Sequence, residues 1–348
     1  MRKEDAFIHL FNSQYMPYQP PFQITPTILT LVAEISECVG FWQSSLSNNQ
    51  QLLSPQLRRT NRIRTIQASL AIEHNSLTIE QVTAVLDGRR VLGLPREIQE
   101  VRNAFVAYEN MAQWIPHDAT HVLQAHKLLM SGLIDDAGRW RQSGVGIYGE
   151  NQLMHMAPPA SQVSRLMCDL LTWLKETPVH PLVASCVFHY EFEFIHPFSD
   201  GNGRMGRLWQ TLILSQWKSE LAYLPVESVI NNQQMQYYAA LSAADRASDA
   251  TEFVVYMLNA LLSAMHDVHL APSKHQVSTK YELTIEQQLI LDRLHGEMSL
   301  IELMGFSSRS DRTKFRNQIV NPLIDLGLIE LTIPNKPTSS KQKYRIKR

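Results

Sequence analysis

The sequence predicts a mainly α-helical protein, broken by one short β-hairpin and followed by a C-terminal winged helix-turn-helix. Three observations carry that expectation. Apolar residues recur at helical spacing from Thr27 to Leu270. A glycine-punctuated stretch, Gly138 to Met156, breaks that spacing. From Arg309 onward both charge and pattern change.

The elements follow in order. Tyr15 to Pro26 is rich in proline and aromatics and reads as an extended arm lying on the body. Thr27 to Trp42 places Ile28, Leu31, Val32 and Ile35 on one helix face. Similar patterns span Ile63–Ile72, Ile79–Leu86, Glu97–Met111 and Thr120–Leu133. Gly138, Gly144, Gly146 and Gly149 then interrupt, with Val145, Ile147 and Tyr148 between them, and Pro158-Pro159 closes the stretch. A hairpin or flap fits it better than a helix. Helical spacing resumes over Val163–Leu174 and Pro181–Phe194. In the latter, Val183, Cys186, Val187, Tyr190 and Phe194 share a face, and Pro181 suits a first turn. Pro272-Ser273-Lys274 reads as a linker. Beyond it come three helical patterns, Ile285–Leu294, Ser299–Met304 and Ser310–Leu326. Two alternating strands follow, one carrying Ile329, Leu331 and Ile333, the other Lys343–Ile346, with a turn at Pro334-Asn335-Lys336-Pro337. Helix, helix, helix, hairpin is the order of a winged helix-turn-helix.

The bulk numbers agree. The chain has 348 residues, enough for two or three domains, and 44% hydrophobic against 19% charged residues permits a sizeable core. Net charge is −1, but residues 309–348 hold ten Lys/Arg and three Asp/Glu, a net of +7 that leaves −8 elsewhere. Cys38, Cys168 and Cys186 lack zinc-ligand spacing and read as buried reduced thiols. The start, Met1-Arg2-Lys3-Glu4-Asp5, leads into no signal-like run, and no stretch reaches the roughly 18 apolar residues of a membrane helix. A soluble cytoplasmic protein is the expectation.

The most informative stretch is His196-Pro197-Phe198-Ser199-Asp200-Gly201-Asn202-Gly203-Arg204-Met205-Gly206-Arg207. Pro197 ends the preceding helix, and Gly201 and Gly203 permit a tight turn. Helical spacing restarts at Met205, Leu208 and Leu212. The loop therefore delivers a helix N-terminus, whose unpaired N–H groups form a natural phosphate cradle. Arg204 and Arg207 can grip further phosphates. Asp200 offers a hard oxygen to Mg²⁺. His196 suits a general base toward an incoming hydroxyl.

This stretch resembles the signature of the Fic family, His-x-Phe-x-(Asp/Glu)-Gly-Asn-Gly-Arg-x-x-Arg, and meets every fixed position. The resemblance implies an α-helical core, ATP as cosubstrate with Mg²⁺, and AMP transfer to Ser, Thr or Tyr of a target protein, for which this chain itself is one candidate. Carried over by position, His196 resembles the base and Asp200 the metal ligand. Gly201, Asn202 and Gly203 resemble the anion hole, within an ATP-binding run that continues through Arg204, Met205, Gly206 and Arg207. Arg204 would hold the β-phosphate and Arg207 the γ-phosphate. The related Doc kinases carry lysine where this chain has Gly203, which favours AMP transfer over phosphate transfer.

Upstream, Ser69-Leu70-Ala71-Ile72-Glu73-His74-Asn75 resembles the family's inhibitory helix, (Ser/Thr)-x-x-x-Glu-(Gly/Asn). Ser69 and Glu73 fit; His74 departs, with Asn75 next. The resemblance implies that Glu73 pairs with Arg207 and leaves ATP bound unproductively. Val145 to Met156 stands in the place of the flap that docks targets, with His155 and Met156 nearest the Pro-Pro pair. Tyr237-Tyr238-Ala239-Ala240-Leu241 resembles a Tyr-Tyr-x-x-Leu stretch near the adenine, with Tyr238 able to stack.

The expected domains are 1–112, an N-terminal helical region with the inhibitory helix; 113–270, the catalytic core; and 280–348, the winged helix. Two rivals stand beside AMP transfer. His189, Glu193 and His196 could meet one zinc as in a metal hydrolase. Arg309, Arg312, Lys314 and Arg316 near a recognition helix, with Lys336, Lys341, Lys343 and Arg345 about the wing, could contact DNA as a regulator does. Some family members also remove AMP with the same glutamate, and a homodimer is the family habit.

Overall fold

The computed structural model describes residues 18–47, 55–149, 152–278, 284–294, 296–307, 311–326, 328–333, 339 and 342–347. These form two compact units that divide in sequence between Val268 and His269.

The first unit opens with the arm. From Tyr18 it lies extended on the body, with Tyr18 and Phe22 packed against the core. The Ala250 N–H donates to the Pro21 carbonyl and the Gln23 N–H to Thr251 Oγ1. Helices α1 (Pro26–Ser47), α2 (Pro55–Ile72), α3 (Ile79–Leu86), α4 (Pro95–Asn110) and α5 (Ala119–Leu129) follow. Their starts are written locally. Thr78 and Gln81 form a reciprocal capping box before α3, Pro95 takes the first turn of α4, and Asp118 accepts from the Thr120 N–H at α5.

An antiparallel hairpin, β1 (Gly146–Gly149) and β2 (Gln152–Met156), comes next, with Ile147 opposite His155 and an irregular register between Ile147 and Tyr148. Then come α6 (Ala160–Glu176), α7 (Pro181–Ile195), α8 (Asn202–Trp217), α9 (Val226–Asn232), α10 (Gln234–Ala247) and α11 (Thr251–Ser278). Helix α7 is buried nearly all round, from Leu182 to Phe192, so it is the central rod of the core rather than an amphipathic surface helix. Helix α8 packs along it and α2 packs on α9.

The second unit holds α12 (Ile285–Arg293), β3 (Met298–Ser299), α13 (Leu300–Met304), α14 (Arg312–Phe315), α15 (Asn321–Asp325), β4 (Ile329–Leu331) and β5 (Lys343–Ile346). Its sheet runs β3-β5-β4, all antiparallel. Ile290, Leu303, Phe315, Ile319, Leu323 and Tyr344 fill a core of its own. The helix expected over Ser310–Leu326 is α14 and α15 joined by a π-helical turn, Arg316–Val320. Arg309, Lys336 and Lys341 lie outside the described residues.

Several expectations are corrected. Pro272-Ser273-Lys274 is not a linker: α11 runs through it to Ser278. A proline inside a helix removes one hydrogen bond and strains one turn, which a 28-residue helix with many other bonds absorbs. Cys168 is exposed on α6, not buried, whereas Cys186 is buried and its thiol is pushed up to about 12 by burial. Helix α8 begins at Asn202, three residues before its apolar spacing becomes visible. No helix among the described residues is long and apolar enough to cross a membrane.

Candidate active site

The loop from His196 to Gly201 leaves α7 and enters α8 through two left-handed residues. His196 closes α7 at φ 49° and Gly201 caps α8 at φ 84°. Gly201 is required twice over, because a Cβ there would also strike the Met130 side chain, with Sδ at 2.7 Å. Asn202 ties the loop to itself: its Oδ1 accepts from the Phe198 N–H and its Nδ2 donates to the Phe198 carbonyl, both at 2.9 Å. Met205 is buried in the core and its N–H is spent on the Gly201 carbonyl. The amides of Asn202, Gly203 and Arg204 belong to the first turn and have no intrahelical acceptor.

Two residues that the sequence reading missed fasten this loop from below. His126 is buried and stacks on Phe198, and its Nδ1 accepts from the Gly138 N–H at 2.8 Å. Since Nδ1 is an acceptor, the proton sits on Nε2, which donates to the Asp200 carbonyl at 3.0 Å. Burial pulls this imidazole down to about 4. Arg141 is 1% exposed and spends its guanidinium on four carbonyls: His196 at 2.7 Å, Ser143 at 2.9 Å, Pro158 at 2.6 Å and Ile195 at 3.3 Å. One side chain thus joins both roots of the hairpin segment to the backbone of His196. Neither residue had a local signal for this role, because the loop residues they hold, Asp200 and His196, are distant in sequence.

His196 Nδ1 lies 3.4 Å from the Glu193 carbonyl. A carbonyl only accepts, so Nδ1 is the donor, and in the neutral ring the lone pair then lies on Nε2. Asp200 Oδ1 accepts from the Gly201 N–H at 2.6 Å and from Arg204 Nη2 at 3.1 Å. Its Oδ2 accepts from Arg96 Nη2 at 3.2 Å. Arg204 also reaches Glu100 Oε1 at 3.5 Å, and its buried Nε–H has no partner.

Arg207 is the deepest cation of the group, 2% exposed. Its Nε donates to Ser69 Oγ at 3.1 Å, and its Nη2 donates to the Ser69 carbonyl at 3.0 Å and to Glu73 Oε1 at 2.7 Å. The same Glu73 oxygen lies directly against Gly203, where a Cβ would collide with it. A carboxylate from the turn just after α2 therefore sits over the first turn of α8, gripped by Arg207. Glu73 gets there because α2 stops at Ile72 and His74 turns left-handed at φ 68°. Histidine is among the few non-glycine residues that adopt this region readily, so the departure at His74 leaves the turn intact.

Residues 116–214 match the model of the Fic/DOC family, and residues 286–347 match that of the Filamentation induced by cAMP protein Fic-like, C-terminal domain. A crystal structure of a Fic family protein from Desulfovibrio desulfuricans G20 is 55% identical, covering 94% of this chain and 98% of that one with a TM-score of 0.69. The chain belongs to the Fic family. Fic-1 (residues 134–508) from C. elegans shares the fold at 23% identity and a TM-score of 0.56, over 72% of each chain. Among curated proteins, Protein adenylyltransferase fic-1 of Caenorhabditis elegans is 25% identical over 245 residues, 62% of this chain and 46% of that one. Protein adenylyltransferase Fic of Aedes aegypti is 28% identical over 213 residues, 56% and 39% respectively. The chain spans less than half the length of these curated relatives.

The remaining expected site residues fall as follows. Gly206 lets α7 approach α8, for a Cβ there would lie 2.6 Å from Glu193 Oε1. Tyr238 is partly exposed on α10, while Tyr237 is buried with its hydroxyl 3.1 Å from His189 Nε2. His155 and Met156 stand in β2 opposite Ile147 and Gly146. The zinc constellation does not assemble. His189 Nδ1 faces Gln210 Oε1 at 2.7 Å and Nε2 faces Tyr237, so both ring nitrogens are engaged, and burial pulls the ring down to about 3. Glu193 is half-buried, its Oε1 is buried without a hydrogen bond at 3.9 Å from His189 Nε2, and loss of solvent pushes the carboxyl up to about 8.

Proposed function

We propose that this Fic protein carries AMP from ATP to a Ser, Thr or Tyr hydroxyl of a protein, and that Glu73 holds it mostly off. One observation carries the reading: the Glu73 carboxylate, standing in for a phosphate, lies at the α8 N-terminus in the grip of Arg207. A site that binds the chain's own anion there is built to bind an anion.

The residues divide the work. The first-turn amides around Gly203 and the orphaned Nε–H of Arg204 supply donors to phosphate oxygens. Arg207 supplies a buried guanidinium once Glu73 withdraws. Asp200 offers one carboxylate, and no group of three or more metal-ligating side chains occurs among the described residues. That donor set suits Mg²⁺, which takes one or two carboxylates and completes its shell with phosphate oxygens and water. Bound there, it would neutralise charge on the departing pyrophosphate. The target hydroxyl attacks the α-phosphorus in line, its proton passes to His196 Nε2, and the bond to the bridging oxygen breaks to release pyrophosphate. Positioning and charge stabilisation do most of this, which is why loop clamps such as Arg141 matter as much as the base. The hairpin β1–β2 aligns the target strand by backbone pairing, near His155 and Met156.

The organisation that goes with this reading is an inhibitory region over 1–112, a core over 113–270 and an appended winged helix over 280–348. The test is transfer from ATP labelled at the α- or the γ-phosphate. Wild type should label proteins weakly from the α-position, Glu73→Gly strongly and His196→Ala not at all. Label from the γ-position would remove the reading.

A second reading, DNA contact by the C-terminal unit, is favoured by one observation. Arg312, Thr313, Lys314, Asn317 and Gln318 are exposed together along α14 and its π turn. Arg345 is already paired with Glu330 at 2.7 Å and with Glu297 at 3.5 Å, so the wing contributes less than its charge suggests.

A further inference from the structure

Arg96 sits in the first turn of α4, about a hundred residues before the phosphate loop and outside any motif. Its Nη2 lies 3.2 Å from Asp200 Oδ2. The other oxygen of Asp200 is already taken by the Gly201 N–H and by Arg204. Oδ2 is therefore the atom through which Asp200 could ligate a cation, and a guanidinium stands on it. A guanidinium and a divalent cation compete for that oxygen, because their like charges repel at such close range.

We propose that Arg96 is the gate of the cation site: it neutralises Asp200 in the resting chain and competes with a divalent cation for Oδ2. This rests on the reading of Asp200 as the cation ligand. The Arg96 side chain is 59% exposed, so it can swing into water and the gate is a competitor rather than a wall.

The gate is wired to the inhibitory turn. Arg96 Nε reaches Glu100 Oε1 at 3.5 Å, the same oxygen that Arg204 Nη1 approaches. The other oxygen, Glu100 Oε2, accepts from Asn75 Nδ2 at 2.8 Å. Asn75 lies two residues beyond Glu73. Residues of one turn thus touch Arg207 directly and steady, through Glu100, the arginine on Asp200. Phosphate grip and cation entry are closed together, and Arg96 is a positioning residue at the second of these.

The experiment is Mn²⁺ affinity of the full chain in the presence of ADP, read by water-proton relaxation, which needs no turnover. Arg96→Ala should tighten Mn²⁺ by about twofold to fivefold, the range of an exposed ion pair. Arg96→Lys, which keeps the charge, should stay near wild type. Asp200→Asn should abolish the tight site. Equal or weaker Mn²⁺ binding in Arg96→Ala, with Asp200→Asn still losing the site, would overturn the gate alone. A tight site that survives Asp200→Asn would overturn the gate together with the assignment of Asp200.

Discussion

The His126 ring lies flat on Phe198, centroids 3.6 Å apart and planes 5° apart, while its Nε2–H holds the Asp200 carbonyl. A neutral imidazole buried between two backbone partners is thus the underside of the loop from His196 to Gly201. His126→Ala should lower stability by about 2–4 kcal/mol, combining a lost buried ring with two orphaned backbone groups. It should also cut transfer, since Asp200 and Gly201 would lose their support. Urea unfolding alongside labelling checks this; unchanged stability would show the stack to be incidental.

Glu73 and Gly203 supply a second test. A methyl on Gly203 overlaps the Glu73 carboxylate and lies 3.0 Å from Arg207 Nη1. The carboxylate ends a flexible side chain, so Gly203→Ala should push it off Arg207. Yet the methyl stays where a phosphate must lie. Gly203→Ala should therefore not be activated, and Gly203→Ala/Glu73→Gly should label far less than Glu73→Gly. Strong labelling by the double variant would mean that the phosphates do not cross Gly203.

Buried acids set a pH dependence. Glu193 is held near 8 by burial against 4.5 when unfolded. Its folded value is raised, so its contribution is fully present below about 4.5 and is lost as pH climbs through about 8. His126 has the opposite sign: its folded value of about 4 lies below 6.5, so its contribution is present above 6.5 and is lost as pH falls through about 4. Between pH 6 and 8, Glu193→Gln should flatten the fall in stability, by at most about 1.4 kcal/mol per pH unit. Parallel wild-type and variant curves would contradict the burial of an uncompensated acid.

Arg141 has no anionic partner among its four acceptors; it is bound by carbonyls alone. Arg141→Lys keeps the charge but loses the fork, and should cost about 2–3 kcal/mol and most transfer activity. Recovery of full activity with lysine would show that charge rather than geometry matters there.

For the C-terminal unit, Arg312→Ala/Lys314→Ala should weaken a duplex mobility shift at low salt and reduce its salt slope by about two. Absence of any shift by wild type under those conditions removes the DNA reading and leaves the transfer reading untouched.

What the sequence made legible is what is local. The loop His196–Arg207 and the Ser69–Glu73 pair were readable because backbone rules and spacing write them in one stretch, and the structure brings the two together at Arg207. The helices over α3 and α7 were readable from apolar spacing, and α7 also from a first-turn proline. What stayed hidden depends on distant packing. His126, Arg141, Glu100 and Arg96 carry no spacing signal for the site, since the partners that bring them to it (Asp200, His196, Asn75 and Arg204) lie tens of residues away. Pro272 misled because a proline marks a probable break rather than a certain one. The start of α8 was late because its first turn is polar and glycine-bearing, the composition that an anion site needs and that apolar periodicity cannot see.

Arg141 has one more consequence, for how a substrate could be measured. It anchors Ser143 and Pro158, on either side of the hairpin, to the His196 carbonyl. A strand laid along β2 advances about 3.3 Å per residue and repeats its facing only every second one. A target strand paired with β2, as proposed, would slide only in steps of roughly 7 Å, and one step alone would bring a hydroxyl to His196. Selectivity would then be a ruler, reading the position of a residue along a strand before it reads the residue.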